Sequence, residues 1–234
     1  MTRPFNPWTP SIEQQVLDRL AAGAEQLDLE LSGAQRQQLL IYLKLMSRWN
    51  QAYNLTAIKQ PMAMAERHLL DSLSIARWIE ADELLDAGTG AGLPGIPLAI
   101  VFPDKHVRLV DSNGKKIRFV RAAIRELQLE QAEVIQSRLE DLAPDVDLQA
   151  VDITCRALAS LTQLVEWSQA WLLRGSRLLA MKAELHDSEL RAVPDDYNVQ
   201  LEPLNSVSAS GAAQPPRSVA IITCAAPDDA NLGA

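Results

Sequence analysis

Cysteine is scarce in this chain: Cys155 and Cys224 are the only two in 234 residues. Two cysteines build no disulfide framework, which points to a reducing compartment. The three histidines, His68, His106 and His186, are scattered without metal-ligand spacing, so no metal centre is expected. No apolar run approaches the ~20 residues that span a bilayer, so no membrane partner is expected. The start, MTRPFNPWTP, has three prolines and no apolar core, unlike a signal peptide. Together these absences predict a cytoplasmic protein. Positive charge is also short: 22 Lys and Arg face 30 Asp and Glu, a net charge of −8. That balance argues against nucleic-acid binding over the whole surface, but not against a local basic patch.

What is present is unevenly spread. From Lys105 to Arg125 there are seven basic residues and one acid, Asp111. From Arg36 to Arg67 there are five and one, Glu66. Each stretch reads either as a solvated helix face or as a nucleic-acid contact. The chain's length suits one main α/β domain with a short extension.

The first ~80 residues read as helical. Ser32 and Gln35 have capping-box spacing before a long helix, whose apolar face carries Leu39, Leu43, Met46 and Trp49. Pro61 suits the first turn of another helix, with Leu69, Leu70, Leu73 and Ala76 on its apolar side. From Glu83 strands and helices alternate: ELLDA, HVRLV from His106, a basic helix from Lys115 to Leu127, AEVI, AVDITC, a helix from Ser160 to Leu173, and RLLAMK. YNVQLEPL and RSVAIITC read as a last strand pair around a flexible loop over 205–216. Alternation of this kind predicts an α/β fold with a mostly parallel sheet and helices on both faces. Ligands of such sheets bind beyond the carboxyl ends of the strands. The expected division is a helical extension over 1–80, a cofactor domain over 81–224 and a disordered tail over 225–234.

The turn after ELLDA reads Asp86-Ala87-Gly88-Thr89-Gly90-Ala91-Gly92-Leu93-Pro94-Gly95. Glycines there let a ligand approach the backbone. Residues 90–95 match G-x-G-x-x-G, with Asp111 at the distance where a dinucleotide enzyme holds ribose. An NAD-dependent oxidoreductase is therefore one reading. The acid at the strand end, Asp86, and the D-x-G-x-G-x-G spacing resemble instead the first motif of AdoMet-dependent methyltransferases. Asp111 suits either cofactor, because a carboxylate accepts two hydrogen bonds from a vicinal diol. A non-catalytic RNA-binding module is a third reading.

Other residues carry two readings each. Asn54 either caps the long helix or, with Tyr53, engages an extruded base. His68 faces the active cleft or serves the core, and Asp71 shares that ambiguity. Cys155 reads as a buried thiol rather than a nucleophile. Trp49, Trp167 and Trp171 read as core. Lys115, Lys116 and Arg118, with Arg121 and Arg125, share one basic helix and are candidate phosphate contacts, along with Arg48 and Lys182.

Several stretches in order resemble the GidB/RsmG-type 16S rRNA guanine-N7 methyltransferases. They are RWNQAYNLTAI (Arg48 to Ile58), RHLLDSL (Arg67 to Leu73), DAGTGAGLPGIPLAI (Asp86 to Ile100) and DSNGKKIRFV (Asp111 to Val120). Shorter ones are QSRLED, CRALASL, LLAMK and the terminal PRSVAII. The resemblance implies a Rossmann-like methyltransferase fold with a seven-stranded sheet and S-adenosyl-L-methionine as cofactor. It implies as product N7-methylguanine in 16S rRNA, at guanine 527 in the usual rRNA numbering. The partner it implies is 16S rRNA or an assembling small ribosomal subunit, met by a monomer. Residue by residue, Gly88 and Leu93 match cofactor positions and Asp111 the ribose-binding acid. Leu139 and Glu140 match the pair near adenine, Arg156 an arginine at the cofactor edge, and Lys182 a lysine facing RNA. Asp86 and Gly90 complete the expected cofactor set, and Asn54 and His68 are the candidates near substrate. The chain departs from the family pattern at Cys155, usually serine, at DSNGK for DSLGK, and at PPRS for GERH before the last strand.

Overall fold

The computed structural model describes residues 7–144, 150–205 and 217–225. All but the first residue of the expected tail over 225–234, and all but the first of the expected loop over 205–216, lie outside the described residues.

Helix α1 (Pro10–Glu25) starts with proline at its first position, and the Thr9 hydroxyl accepts from the Ile12 N–H at 3.3 Å. Helix α2 (Gly33–Tyr53) carries the expected capping box. The Ser32 hydroxyl accepts from the Gln35 N–H at 3.2 Å, and Gln35 Oε1 accepts from the Ser32 N–H at 3.0 Å. Gln35 Nε2 also donates to the carbonyls of Ile100 and Val101, which pins α2 to the sheet domain. Leu39, Leu43 and Met46 are fully buried on its inner face; truncating one to alanine costs about 2–5 kcal/mol. Asn54 ends α2 in the left-handed conformation, φ 50° and ψ 52°, so the capping reading of this residue holds.

The helix expected after Pro61 begins there but is not uniform. An α segment α3 (Pro61–Met64) passes into a π-helical turn over Ala65–Leu70 and returns to α in α4 (Asp71–Leu73). Single π turns are rare and often mark functional sites. This one carries Arg67 exposed and His68 buried.

The sheet comprises β1 (Glu83–Ala87), β2 (His106–Val110), β3 (Ala132–Ile135), β4 (Asp152–Arg156), β5 (Arg177–Lys182), β6 (Tyr197–Leu204) and β7 (Arg217–Cys224), in the order 3-2-1-4-5-7-6. β7 runs antiparallel to β5 and β6, and the other pairs are parallel. Helices α5 (Gly95–Val101), α6 (Gly114–Leu127) and α7 (Leu161–Leu172) join parallel strands, and a short α8 (Asp187–Leu190) follows β5. The strand order reverses between β1 and β4, where a doubly wound sheet opens its ligand crevice. One apolar cluster joins Leu20, Leu43 and Leu69 of the helical extension to Leu84, Leu109 and Phe119 of the sheet domain. The division expected near residue 80 thus marks a change of element type, and the core runs across it.

Candidate functional site

β1 delivers the glycine-rich turn, and a buried acid shapes it. Asp86 is fully buried, and its Oδ2 accepts from the Thr89 hydroxyl at 2.5 Å and from the Gly95 N–H at 2.8 Å. These bonds fold residues 88–95 back over the strand end. A Cβ on Gly95 would come within 2.6 Å of Asp86 Oδ2, so the close approach requires glycine. Burial pushes the Asp86 carboxyl up to about 7, against the two hydrogen bonds, which pull it down.

Gly90 has φ +61°, and a Cβ there would meet no atom closer than 3.8 Å. A side chain at this position would therefore stand in the adjoining cavity, which Gly90 lines. Its N–H donates to Asp111 Oδ2 at 2.9 Å, while Asp111 Oδ1 accepts from the Asn113 N–H at 2.8 Å. Lys116 Nζ lies 3.5 Å from Oδ2. Asp111 is thereby fixed at the end of β2 with acceptor capacity left on both oxygens.

The cavity is about 640 Å³, within the range of a cofactor pocket. Gly88, Leu93, Asp111, Leu139, Glu140 and Arg156 line it, as expected. Asp86 does not; it lies behind the turn and acts on the cavity through Thr89 and Gly95. The lining fits a nucleoside-bearing group: a bare glycine surface, a placed carboxylate for a diol, and volume alongside.

The other side of the cavity comes from the helical extension. His68 is 6% exposed, and its Nε2 lies 2.9 Å from the Thr56 hydroxyl. Asn50 clasps Thr56, donating to its carbonyl at 2.8 Å and accepting from its N–H at 2.9 Å. Burial, then the Arg156 charge, pushes the His68 imidazole down to about 4. It is neutral near pH 7. Arg156 Nη1 donates to Asp71 Oδ2 at 3.0 Å and to the Arg67 carbonyl at 3.3 Å. The other Asp71 oxygen pairs with Arg217.

Several expected contacts sit elsewhere. Lys182 does not face outward: its Nζ donates to the Ala159 carbonyl at 2.6 Å and to Glu189 Oε1 at 2.7 Å. Glu189 neutralises it, and burial excludes it from an outer surface. Lys116 turns toward Asp111 at the cavity, away from the outer face that carries Lys115 and Arg118, which are exposed like Arg48. Tyr53 is half-buried, its ring 4.9 Å from that of Trp49. Asn54 is exposed and lines a separate, smaller pocket with Gln51, Lys59 and Gln60. Cys155 is buried, and burial pushes its thiol up to about 12, far from a thiolate nucleophile.

Sequence reasoning missed Leu55, Thr56 and Leu158 of the lining and read Trp167, which also lines it, as core. Leu55 and Thr56 lie within a stretch that carries the family resemblance, just past the left-handed end of α2. That sharp helix end is the signal that aims the loop at the cavity. Among the described residues no cluster of His, Cys, Asp and Glu could hold a metal ion.

A dinucleotide dehydrogenase of this topology continues its sheet in the order 3-2-1-4-5-6. Here the place beside β5 is taken by the antiparallel β7. With the acid-braced glycine turn feeding Asp111, that edge defines the class: an AdoMet-dependent methyltransferase of Rossmann-like fold.

Comparison with known proteins gives the particular family. The GidB family, described as rRNA small subunit methyltransferase G, matches residues 35–217. The ribosomal RNA small subunit methyltransferase G of Marinobacter nauticus is 46% identical, over 87% of this chain and 91% of its own length. Its counterpart in Pseudomonas aeruginosa strain UCBPP-PA14 is 42% identical, over 92% and 99%. That of Pseudomonas syringae pv. syringae is 45% identical, over 80% and 87%. The chain belongs to the GidB family.

Proposed function

We propose that this protein transfers a methyl group from AdoMet to N7 of a guanine in 16S rRNA, free or within an assembling small subunit. One observation carries the reading: a single cavity joins the Gly90–Asp111 cradle to a wall built by His68 and Arg156. Asp111 would accept from the ribose hydroxyls, Gly88, Gly90 and Leu93 would give close backbone approach, and Leu139 and Glu140 would hold the adenine side. AdoMet bound there would supply a methyl already activated on a sulfonium, for transfer to the N7 lone pair with the neutral thioether as leaving group.

Guanine N7 carries no proton, so a general base would add nothing. The residues around the cavity agree with this. His68, its imidazole pushed down to about 4, is a weak proton acceptor, the Cys155 thiol is held protonated, and Asp86 is screened behind the turn. The residues' task is alignment, which alone lowers a barrier by several kcal/mol.

The extension over 1–80 closes the substrate side, and 81–224 carries the cofactor. Exposed Arg48, Lys115 and Arg118 meet RNA phosphates on this reading, and Tyr53 meets a base. A cytoplasmic monomer is supported by the two unpaired cysteines and by how little large apolar surface shows. Among the described residues only Leu158, Leu173 and Leu201 are exposed large hydrophobics, and no helix is long and apolar enough to cross a membrane.

The test is incubation with methyl-labelled AdoMet and either naked 16S rRNA or immature subunits, followed by nucleoside analysis. Label in N7-methylguanosine is expected. Label on another atom, or none on either substrate, would overturn the reading.

A further inference from the structure

Two arginines beside the cavity share one carboxylate, and a third lies close to them. The Asp71 side chain, 6% exposed, gives Oδ2 to Arg156 and Oδ1 to Arg217. Both of its oxygens are thus engaged. Arg156 lines the cavity, and Arg217, half-buried, opens β7. Arg67 precedes His68 on the π-helical turn and is exposed. Its carbonyl is held by Arg156, but among the described residues its guanidinium meets no partner. Arg67 lies near enough to Arg217 for its charge to hold the Arg217 pKa down, second to burial. The next acids are already committed. Glu66 pairs with Arg19 at 2.8 Å on the other side of the turn. Asp86, which Arg156 also senses, is buried and braces the glycine turn.

Asp71 therefore leaves two positive charges uncompensated, one of them on a solvent-facing guanidinium. Like charges converging beside a half-buried site repel unless an anion joins them. Arginine's planar fork matches the tetrahedral oxygens of a phosphodiester.

We propose that Arg67 and Arg217 form a phosphate-binding site at the cavity rim, which takes an RNA backbone phosphate next to the target nucleotide. Asp71 positions Arg156 and Arg217 and holds together guanidinium groups that would otherwise repel one another. The proposal rests on the reading of the cavity as an RNA methyltransferase site. The same chemistry could instead receive the carboxylate of the cofactor, so the experiment must separate the two anions.

The probe is a single-stranded RNA fragment of 16S rRNA that carries the methylated guanine. Its affinity for the full chain is measured over a series of salt concentrations, and AdoMet affinity is measured separately by calorimetry. Arg67→Gln is the main variant, because its side chain is exposed and supports no packing. The expected result is several-fold weaker RNA binding with the salt slope reduced by roughly 0.7 to 0.9, one phosphate contact. AdoMet affinity should stay unchanged, and Arg67→Lys should keep the salt slope while recovering part of the affinity. Arg217→Gln should show the same loss and, in combination with Arg67→Gln, add less than its own effect.

RNA affinity and salt slope unchanged in Arg67→Gln would overturn the proposal. So would a loss of AdoMet affinity with RNA binding intact, which would assign the cluster to the cofactor. Failure of the broader reading looks different: wild-type protein would then transfer no methyl to rRNA at all.

Discussion

The two ends of the cavity use carboxylates in opposite ways. At the cofactor end, Asp86 and Asp111 accept from backbone N–H groups of their own neighbourhood, at Gly95, Gly90 and Asn113. All of these lie within 28 residues of one another in the chain. At the substrate end, Asp71 accepts from Arg156 and Arg217, drawn from strands 85 and 146 positions further along. The first end is rigid because short-range bonds fix the backbone itself. The second is a meeting of side chains, placed by the whole sheet and by the helical extension. Preorganised backbone suits a constant cofactor, and a rim of guanidinium groups suits a large polyanion.

The comparison can be broken most forcefully at Asp86. Asp86→Ala leaves the Thr89 hydroxyl and the Gly95 N–H without their acceptor, and should destabilise the fold by about 2–4 kcal/mol. Asp86→Asn keeps an acceptor oxygen and should destabilise far less, as read by thermal or urea unfolding. pH sharpens the point. Burial raises the folded carboxyl to about 7, above its ordinary value of 3.8. The folded state therefore holds this proton more tightly than the unfolded chain does. The stability it contributes is full below the ordinary value and is lost as pH rises through about 7. The melting temperature of Asp86→Asn, relative to wild type, should climb between those limits.

Asp111→Ala should act on binding more than on folding, because the Gly90 and Asn113 N–H groups it releases border the cavity, where water can take them. Losing two hydrogen bonds to ribose should weaken AdoMet by roughly tenfold to a hundredfold in calorimetry. A wild-type affinity in this variant would remove Asp111 from the cofactor site.

His68, at the substrate end, should show a pH response opposite to that of Asp86. Its folded pKa is lowered to about 4 from 6.5, so the unfolded chain binds this proton more readily. Stability is lost as pH falls from 6.5 toward 4. His68→Gln should lose part of that acid sensitivity, which melting curves on both proteins across the window would show.

The smallest effects should come from residues the structure takes out of contact. Lys182→Ala should leave the salt slope of RNA binding unchanged, since Glu189 and Ala159 hold its ammonium inside the protein. Cys155→Ser should keep most activity, because a buried thiol held at about 12 offers no thiolate.

The two ends also differ in how far the sequence exposed them. The glycine turn, Asp86 and Asp111 lie on one contiguous β-turn-α-β stretch, so spacing alone located them. Spacing could not show that Asp86 braces the turn from behind, because that depends on which way one side chain points from the end of β1. The strands and most helices were legible because their periodicity is local. The π turn over Ala65–Leu70 was not, since nothing in AERHLL departs from an α-helical pattern. The resemblance set Lys182 toward RNA, and spacing could not show that its partner Glu189 arrives from a short helix after β5. The cluster of Arg67, Asp71, Arg156 and Arg217 joins three segments that only the folded sheet brings together.

The central claim is that the cavity aligns its reactants and supplies neither base nor nucleophile. The most direct test is the single-turnover rate of methyl transfer to 16S rRNA, with AdoMet and RNA saturating, measured from about pH 6 to 8 around the ordinary histidine pKa. The expected profile is nearly flat, because His68 is neutral throughout and Asp86 keeps its acceptor oxygen in either protonation state. A rate that falls tenfold per unit below neutrality, together with an inactive Cys155→Ser protein, would contradict the account and point to attack on a pyrimidine carbon.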